Sequence, residues 1–162
     1  MDSHVTPPPE GYALAFEEGV RGLARQESEL DALRSRAGIL LSAAAIATSF
    51  LGGRALDGDE PVGWTWVAIA CFAGLAAGAL VILWPRRAWS FSATPGTIVS
   101  LYLEQGRAWT VAAIQRELAL HMDHAYVLNG SHLDRLIWIF RVTSALLALE
   151  VVAWVVNLAT VT

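Results

Sequence analysis

The chain has 162 residues, 55% of them hydrophobic and only 16% charged, with a formal net charge of −4. A water-soluble domain would carry more charge, so this composition points away from one. The single cysteine, Cys71, excludes an intramolecular disulfide and reads as a small buried apolar residue.

Residues 1–10 contain three consecutive prolines and little that can pack, and are expected to form a disordered tail. Residues 11–36 are rich in Ala, Leu, Glu and Arg, with Glu17 and Arg21 at helical spacing, and predict a helix that runs straight into the first apolar run. That run, 37–56, is long enough to cross a bilayer if it continues through Leu56, with Arg54 reaching to the headgroups. It begins too far from the N-terminus, and behind too many charges, to be a cleaved signal peptide. An acidic loop, 57–63, carries Asp57, Asp59 and Glu60. The second span, Trp64 to Trp84, has no charged residue in 21 positions, and at about 1.5 Å per residue covers roughly 30 Å. Its ends are marked by Trp64, Trp66, Trp84 and Trp89, as interfacial aromatic belts are.

Pro85 breaks that helix, 86–94 reads as a connector, and Pro95 and Gly96 start a new helix. The insert, 85–141, presents Val111, Ile114, Leu118, Met122, Ala125 and Leu128 at spacings of three and four, one apolar helical face. It is expected to pack antiparallel to the N-terminal helix. Helical continuity past Gly130 into the last span is favoured, because no proline follows and the pattern resumes at Leu133, Leu136, Ile137 and Phe140; the alternative is a kink at Gly130. The third span, 142–162, completes an all-α integral membrane protein of three transmembrane helices, with a helical N-terminal segment and a helical insert, and no second domain.

All eleven basic residues are arginines, and only Arg54 lies in the loop between the first two spans. Positive charge is retained inside, so the N-terminus and the insert are expected in the cytoplasm and the C-terminus outside.

The third span contains one acid, Glu150, in an otherwise apolar run and nine residues beyond Arg141, close to the expected midplane. A charged acid there costs about 2.5–3.5 kcal/mol on insertion scales, so it needs a partner helix or a wet cavity. Thr143 and Asn157 lie seven residues to either side, on the same face. This polar stripe has three readings: a protonated or hydrogen-bonded carboxyl satisfied by Ser42, Thr48 or Ser49; a pore-lining or oligomer face; and a proton path. Small residues recur every four positions in the second span at Ala70, Gly74 and Gly78, and in the first at Ala45, Ser49 and Gly53. They let helix backbones approach, either within the subunit or between copies. Three helices are too few to enclose a water-filled pathway alone, so a pore would require several copies.

His121, Asp123, His124, His132 and Asp134 form a small polar cluster, but only His121 and His124 share a helix face, too few for a metal site. No nucleophile is paired with a base and no glycine-rich phosphate loop is present, so neither an enzyme nor a resident cofactor is expected.

The stretch ELDALRSRAGILLSAAAIATSF, Glu29 to Phe50, resembles the entry to the first span of the transmembrane effectors of Pycsar antiphage systems. Asp31, Arg36, Ala37 and Gly38 precede a Leu/Ala/Ser-rich helix in the same way, with Arg36 where those effectors more often have lysine. The order of N-terminal helix, two close spans, helical insert and final span is also similar. The resemblance implies an oligomeric effector of the bacterial inner membrane. It would respond to a cyclic pyrimidine nucleotide, cUMP or cCMP, made by a partner cyclase, and impair membrane integrity. Arg107 and Arg116 are the candidate ligand contacts, because they lie away from the boundaries where topology alone explains an arginine. The competing class is a non-enzymatic membrane adaptor or accessory subunit that binds a cytoplasmic protein. A proton-coupled transporter is disfavoured by three spans without repeated halves. The bilayer, further copies of the chain and the nucleotide are the expected partners; nucleic acid is not.

Overall fold

The computed structural model describes residues 9–53, 63–85, 95–104 and 109–161, and every element among them is helical. Helix α1 spans Pro9–Ala47 and continues as a π-turn, Thr48–Gly52. Helix α2 is Gly63–Leu83, α3 is the short Pro95–Ile98 followed by a π-turn at Val99–Leu103, and α4 runs from Val111 to Val161. Residues 1–8 of the expected tail, 57–62 of the acidic loop, Arg54, and the 86–94 connector with Arg86, Arg87 and Trp89 fall outside the described residues, while Pro9 and Glu10, expected in the tail, already belong to α1 and Gly63, expected in the loop, opens α2.

Three of these helices are long and apolar enough to cross a membrane. The N-terminal helix does run directly into its span, and α4 passes Gly130 without a break, as the pattern of the sequence predicts. Pro95 opens α3, also as expected, but the insert helix is interrupted before Val111. There Thr110 Oγ1 accepts the Ala113 N–H at 3.3 Å, an N-cap that gives α4 its start. Just before that cap, Trp109 meets Tyr102 edge to face with ring centroids 5.3 Å apart.

Where one domain was expected, the chain divides into two compact units, Met1–Glu29 with Arg87–Leu133, and Leu30–Arg86 with Asp134–Thr162. The division escapes a linear reading because α1 and α4 each contribute to both units and no linker separates them. A period of seven governs burial on both helices. On α4, Met122, Asn129, Leu136, Thr143, Glu150 and Asn157 are all buried; on α1, Leu23, Leu30, Ala37 and Ala44 are, with Gln26 and Leu33 between them. Spacings of three and four at a seven-residue repeat are those of helices that pack along a shared seam.

In the first unit the two helices run parallel, because Gly19 meets Met122, Gly22 meets Tyr126, and Gln26 reaches Tyr126 and Gly130. The expected antiparallel pairing is therefore wrong. Counting the membrane crossings would have corrected it: α2 turns the chain back between the helices, so α1 and α4 enter their apolar segments in the same direction. The core of this unit is Leu23, Met122 and Ala125, with Phe16 packed against them. The buried face of α4 begins at Leu118 rather than Val111 and passes through Asn129 rather than Leu128; Val111 and Leu128 are exposed. Gln26 packs beside Gly130. Its Nε2 donates to the Tyr126 carbonyl at 2.9 Å and lies 3.5 Å from where a Cβ on residue 130 would stand, an ordinary contact, so this position does not demand glycine.

In the second unit α2 runs antiparallel to α4. Thr65 meets Asn157, Gly74 meets Leu146, and Gly78 meets Thr143. A Cβ on Gly78 would collide with Thr143 Oγ1, and one on Gly74 would stand 3.2 Å from Leu146 Cδ1, so these two glycines set the approach of α2 to α4 within the subunit. Ala70, the third member of that stripe, is exposed. On α1 the expected stripe is displaced. Ala45, Ser49 and Gly53 face outward, and Ala44, Thr48 and Gly52 take the inner side, with Gly52 against the Trp154 ring. The offset is set ahead of the π-turn, since Ala44 continues the buried period of Leu23, Leu30 and Ala37 and leaves Ala45 outside.

Candidate functional site

Two sites emerge, one in each unit. The first is polar and buried. Thr143, Glu150 and Asn157 are each no more than 1% exposed, so the stripe read from the sequence is a real face and it is turned inward. Of the three hydroxyls proposed for Glu150, Thr48 is the one that donates, to Oε1; Ser42 and Ser49 instead donate to the carbonyls of Gly38 and Ala45 in their own helix. At the far end of the stripe Thr65 Oγ1 donates to Asn157 Oδ1 at 3.3 Å, and at the near end Thr143 Oγ1 donates back to the Ile139 carbonyl at 2.7 Å. Thr65 was not anticipated, although its place near the start of an uncharged span marks it as one of few hydroxyls available to α4.

Four buried polar atoms of this unit have no hydrogen-bond partner among the described residues: Arg34 Nε, Glu150 Oε2, Trp154 Nε1 and Asn157 Nδ2. The last three fall within two turns of α4, beside the π-turn of α1, a distortion frequent at functional positions. A buried polar group left without a partner costs about 1–3 kcal/mol, so polarity here is retained at a loss in stability. Around it the surface is apolar. Ile39, Ile46, Phe50, Trp66, Leu80, Leu149, Val152 and Val155 are exposed.

The register of the helices places the aromatic residues at two levels of this unit. Thr48 meets Glu150, so Arg36, twelve residues earlier, is level with Trp138, twelve residues before Glu150. Gly78 meets Thr143, which brings Trp84 within one residue of that level. Trp64 and Trp66 flank Thr65, level with Asn157. From Trp138 to Asn157 the helix rises roughly 28 Å, close to the thickness of a hydrocarbon core. Glu150 stands roughly 18 Å from the first level and 10 Å from the second, off the middle where its distance from Arg141 alone would put it.

The second site is a groove of about 570 Å³ in the first unit, between α1 and α4. Gly19 and Gly22 open it on the α1 side, for any larger residue would fill the space over Met122 and Tyr126. Tyr12 and Tyr126 supply aromatic walls and Met122 part of an apolar floor, with Glu18, Arg116 and Asp123 as the charged lining. Glu18 is held by Arg21 at 2.6 Å and Arg116 by Glu117 at 2.7 Å, both at the surface. Arg116 thus lines a cavity, as a ligand contact must, whereas Arg107 lies outside the described residues. The tyrosines and Glu18 were missed by sequence reasoning, and Asp123 was read only as part of a polar cluster with the histidines; the pairing of Gly19 and Gly22 on α1 with the α4 face was the signal that a cleft would form there. His121, His124 and His132 are exposed, and no cluster of three or more metal-ligating side chains occurs among the described residues. The lone Cys71 is buried.

Comparison with known proteins gave no matching family model, no matching curated protein and no matching solved structure.

Proposed function

We propose that this chain is a multi-pass effector of the bacterial inner membrane. On this reading the first unit is cytoplasmic and receives a cyclic pyrimidine nucleotide, and the helices of the second unit, as an oligomer, then impair the membrane. The groove that contains Arg116 is the observation that carries the reading. Its mixed lining suits a ligand of mixed character: a guanidinium for a phosphodiester, tyrosine rings for stacking a base, and two carboxylates for donors on the sugar or the base edge. Its volume is in the range of small-ligand sites. The apolar surface of the second unit, with its polar atoms turned inward, supports the membrane part.

Titration calorimetry of the purified full chain in detergent, with cUMP and with cCMP, tests the ligand. Saturable binding of one of them is expected, and Arg116→Ala should weaken it tenfold or more, on the order of one charge-assisted hydrogen bond. Absence of binding by either nucleotide, with cells surviving co-expression of a pyrimidine cyclase unchanged, overturns the reading.

A second reading, the membrane adaptor, is favoured by the exposed apolar side chains Leu120, Val127 and Leu128 on the α4 portion of the first unit, which suit a protein partner. The neighbouring gene separates the two: a nucleotide cyclase supports the effector, a transporter or division operon the adaptor.

A further inference from the structure

The arginines of the described residues fall into two groups. Arg21, Arg34 and Arg116 make ion pairs with nearby carboxylates. Arg25, Arg36, Arg135 and Arg141 make none among the described residues, and all four are exposed. Arg25 belongs to the first unit; the other three gather near the level marked by Trp84 and Trp138, which are 68% and 64% exposed. An exposed tryptophan at the end of an apolar helix is placed where hydrocarbon gives way to headgroups. Unpaired guanidiniums at the same level call for an anion supplied from outside the chain.

On α4 the geometry narrows to one face. At 100° per residue, Trp138 lies between Arg135 and Arg141, each about 60° away, and on the side opposite the buried Leu136 and Thr143. Helical side chains lean toward the N-terminus. Arg141, set on the apolar side of Trp138, therefore leans back over the indole and brings its guanidinium to the headgroup level. Arg135 leans away from it and takes part only by extending. Asp134 stands on the same face one turn before Trp138, is exposed, and is paired with neither arginine. It bounds the site on the side away from the apolar segment.

We propose that Arg141 and Arg135, with Trp138 between them, form a binding site on α4 for the phosphate of an anionic phospholipid headgroup. Arg141 grips the phosphate with two parallel N–H donors. Trp138 covers the glycerol region, and Arg135 adds charge. The site lies on the opposite side of α4 from the polar stripe and does not depend on the cytoplasmic ligand.

The test is electron spin resonance of the full chain reconstituted in phosphatidylcholine, with spin-labelled phosphatidylglycerol or spin-labelled phosphatidylcholine as probe. Phosphatidylglycerol should be over-represented several-fold in the motionally restricted component. Arg141→Gln should reduce that preference about fivefold, the value of one basic residue at an anionic surface. Arg135→Gln should reduce it less, Asp134→Asn should raise it, and Arg21→Gln, which removes a paired surface arginine, should leave it unchanged. Arg141, Arg135 and Asp134 have no ion-pair partner among the described residues and Arg21 pairs only at the surface, so circular dichroism of each variant should match the parent. Equal restriction of the two lipids by the unaltered chain would overturn the proposal, and so would an Arg141→Gln variant that keeps the preference. Displacement of the labelled lipid by millimolar inorganic phosphate as readily as by unlabelled phosphatidylglycerol would show that the site takes free phosphate, and would overturn it as well.

Discussion

Along α4 the buried seam keeps its period of seven from Met122 to Asn157, while the polar balance around it partly inverts. In the first unit the inside is Leu23, Met122 and Ala125 with the buried Gln26 and Asn129, and the outside carries Glu17, Glu18, Arg21, Arg116, His121 and Asp123 beside the apolar Val127 and Leu128. In the second the inside carries Thr65, Thr143, Glu150 and Asn157 beside Ala68, Ala153 and Trp154, and the outside is mostly apolar, with Ile46, Phe50, Leu149, Val152 and Val155. The period is set by helix pairing, which is common to both units. On the proposed membrane reading the inversion is set by what lies beyond the surface, since apolar side chains gain nothing by leaving hydrocarbon and a polar group gains a partner by turning inward.

The contrast can be broken most severely through its glycines. Gly78→Ala forces a Cβ into Thr143 and should cost the second unit about 1–3 kcal/mol. Gly22→Ala meets Tyr126 at an ordinary 3.4 Å and should instead stabilise the first by up to about 1 kcal/mol through helix propensity. Thermal unfolding in detergent, followed by circular dichroism, should therefore move in opposite directions for the two variants. If both glycines responded alike, close packing would not distinguish the units.

An effect of similar size probes the inward polarity. Thr48→Val leaves the Glu150 carboxyl without its hydroxyl donor and should cost about 1–3 kcal/mol, whereas Thr48→Val with Glu150→Leu replaces both partners and should return close to the parent. A double variant as unstable as the single one would mean that Glu150 is held by something other than Thr48.

How much of this was legible in the sequence differs between the same two regions. The apolar spans, the stripe of Thr143, Glu150 and Asn157, and the unbroken helix through Gly130 could all be read, because each depends on one helix and its period. The direction of α1 against α4 could not be taken from the apolar face alone, since parallel and antiparallel partners bury the same stripe. Ala45, Ser49 and Gly53 were misplaced because a four-residue spacing of small residues does not say which face is buried; the period of seven through Leu23, Leu30, Ala37 and Ala44 does. The groove was hidden for a related reason. Tyr12, Arg116 and Tyr126 are brought together by the register of two helices distant in sequence, and only the position of Gly19 and Gly22 hinted at it.

Cysteine labelling in the Cys71→Ser background tests the inversion most directly. Val127 and Leu149 are both exposed apolar residues of α4, alike in the fold and different only in the surroundings assigned to them. With membranes opened to give access to both faces, a membrane-impermeant maleimide should label Val127→Cys readily and leave Leu149→Cys unmodified until detergent is added. Equal labelling of the two before detergent would contradict the account.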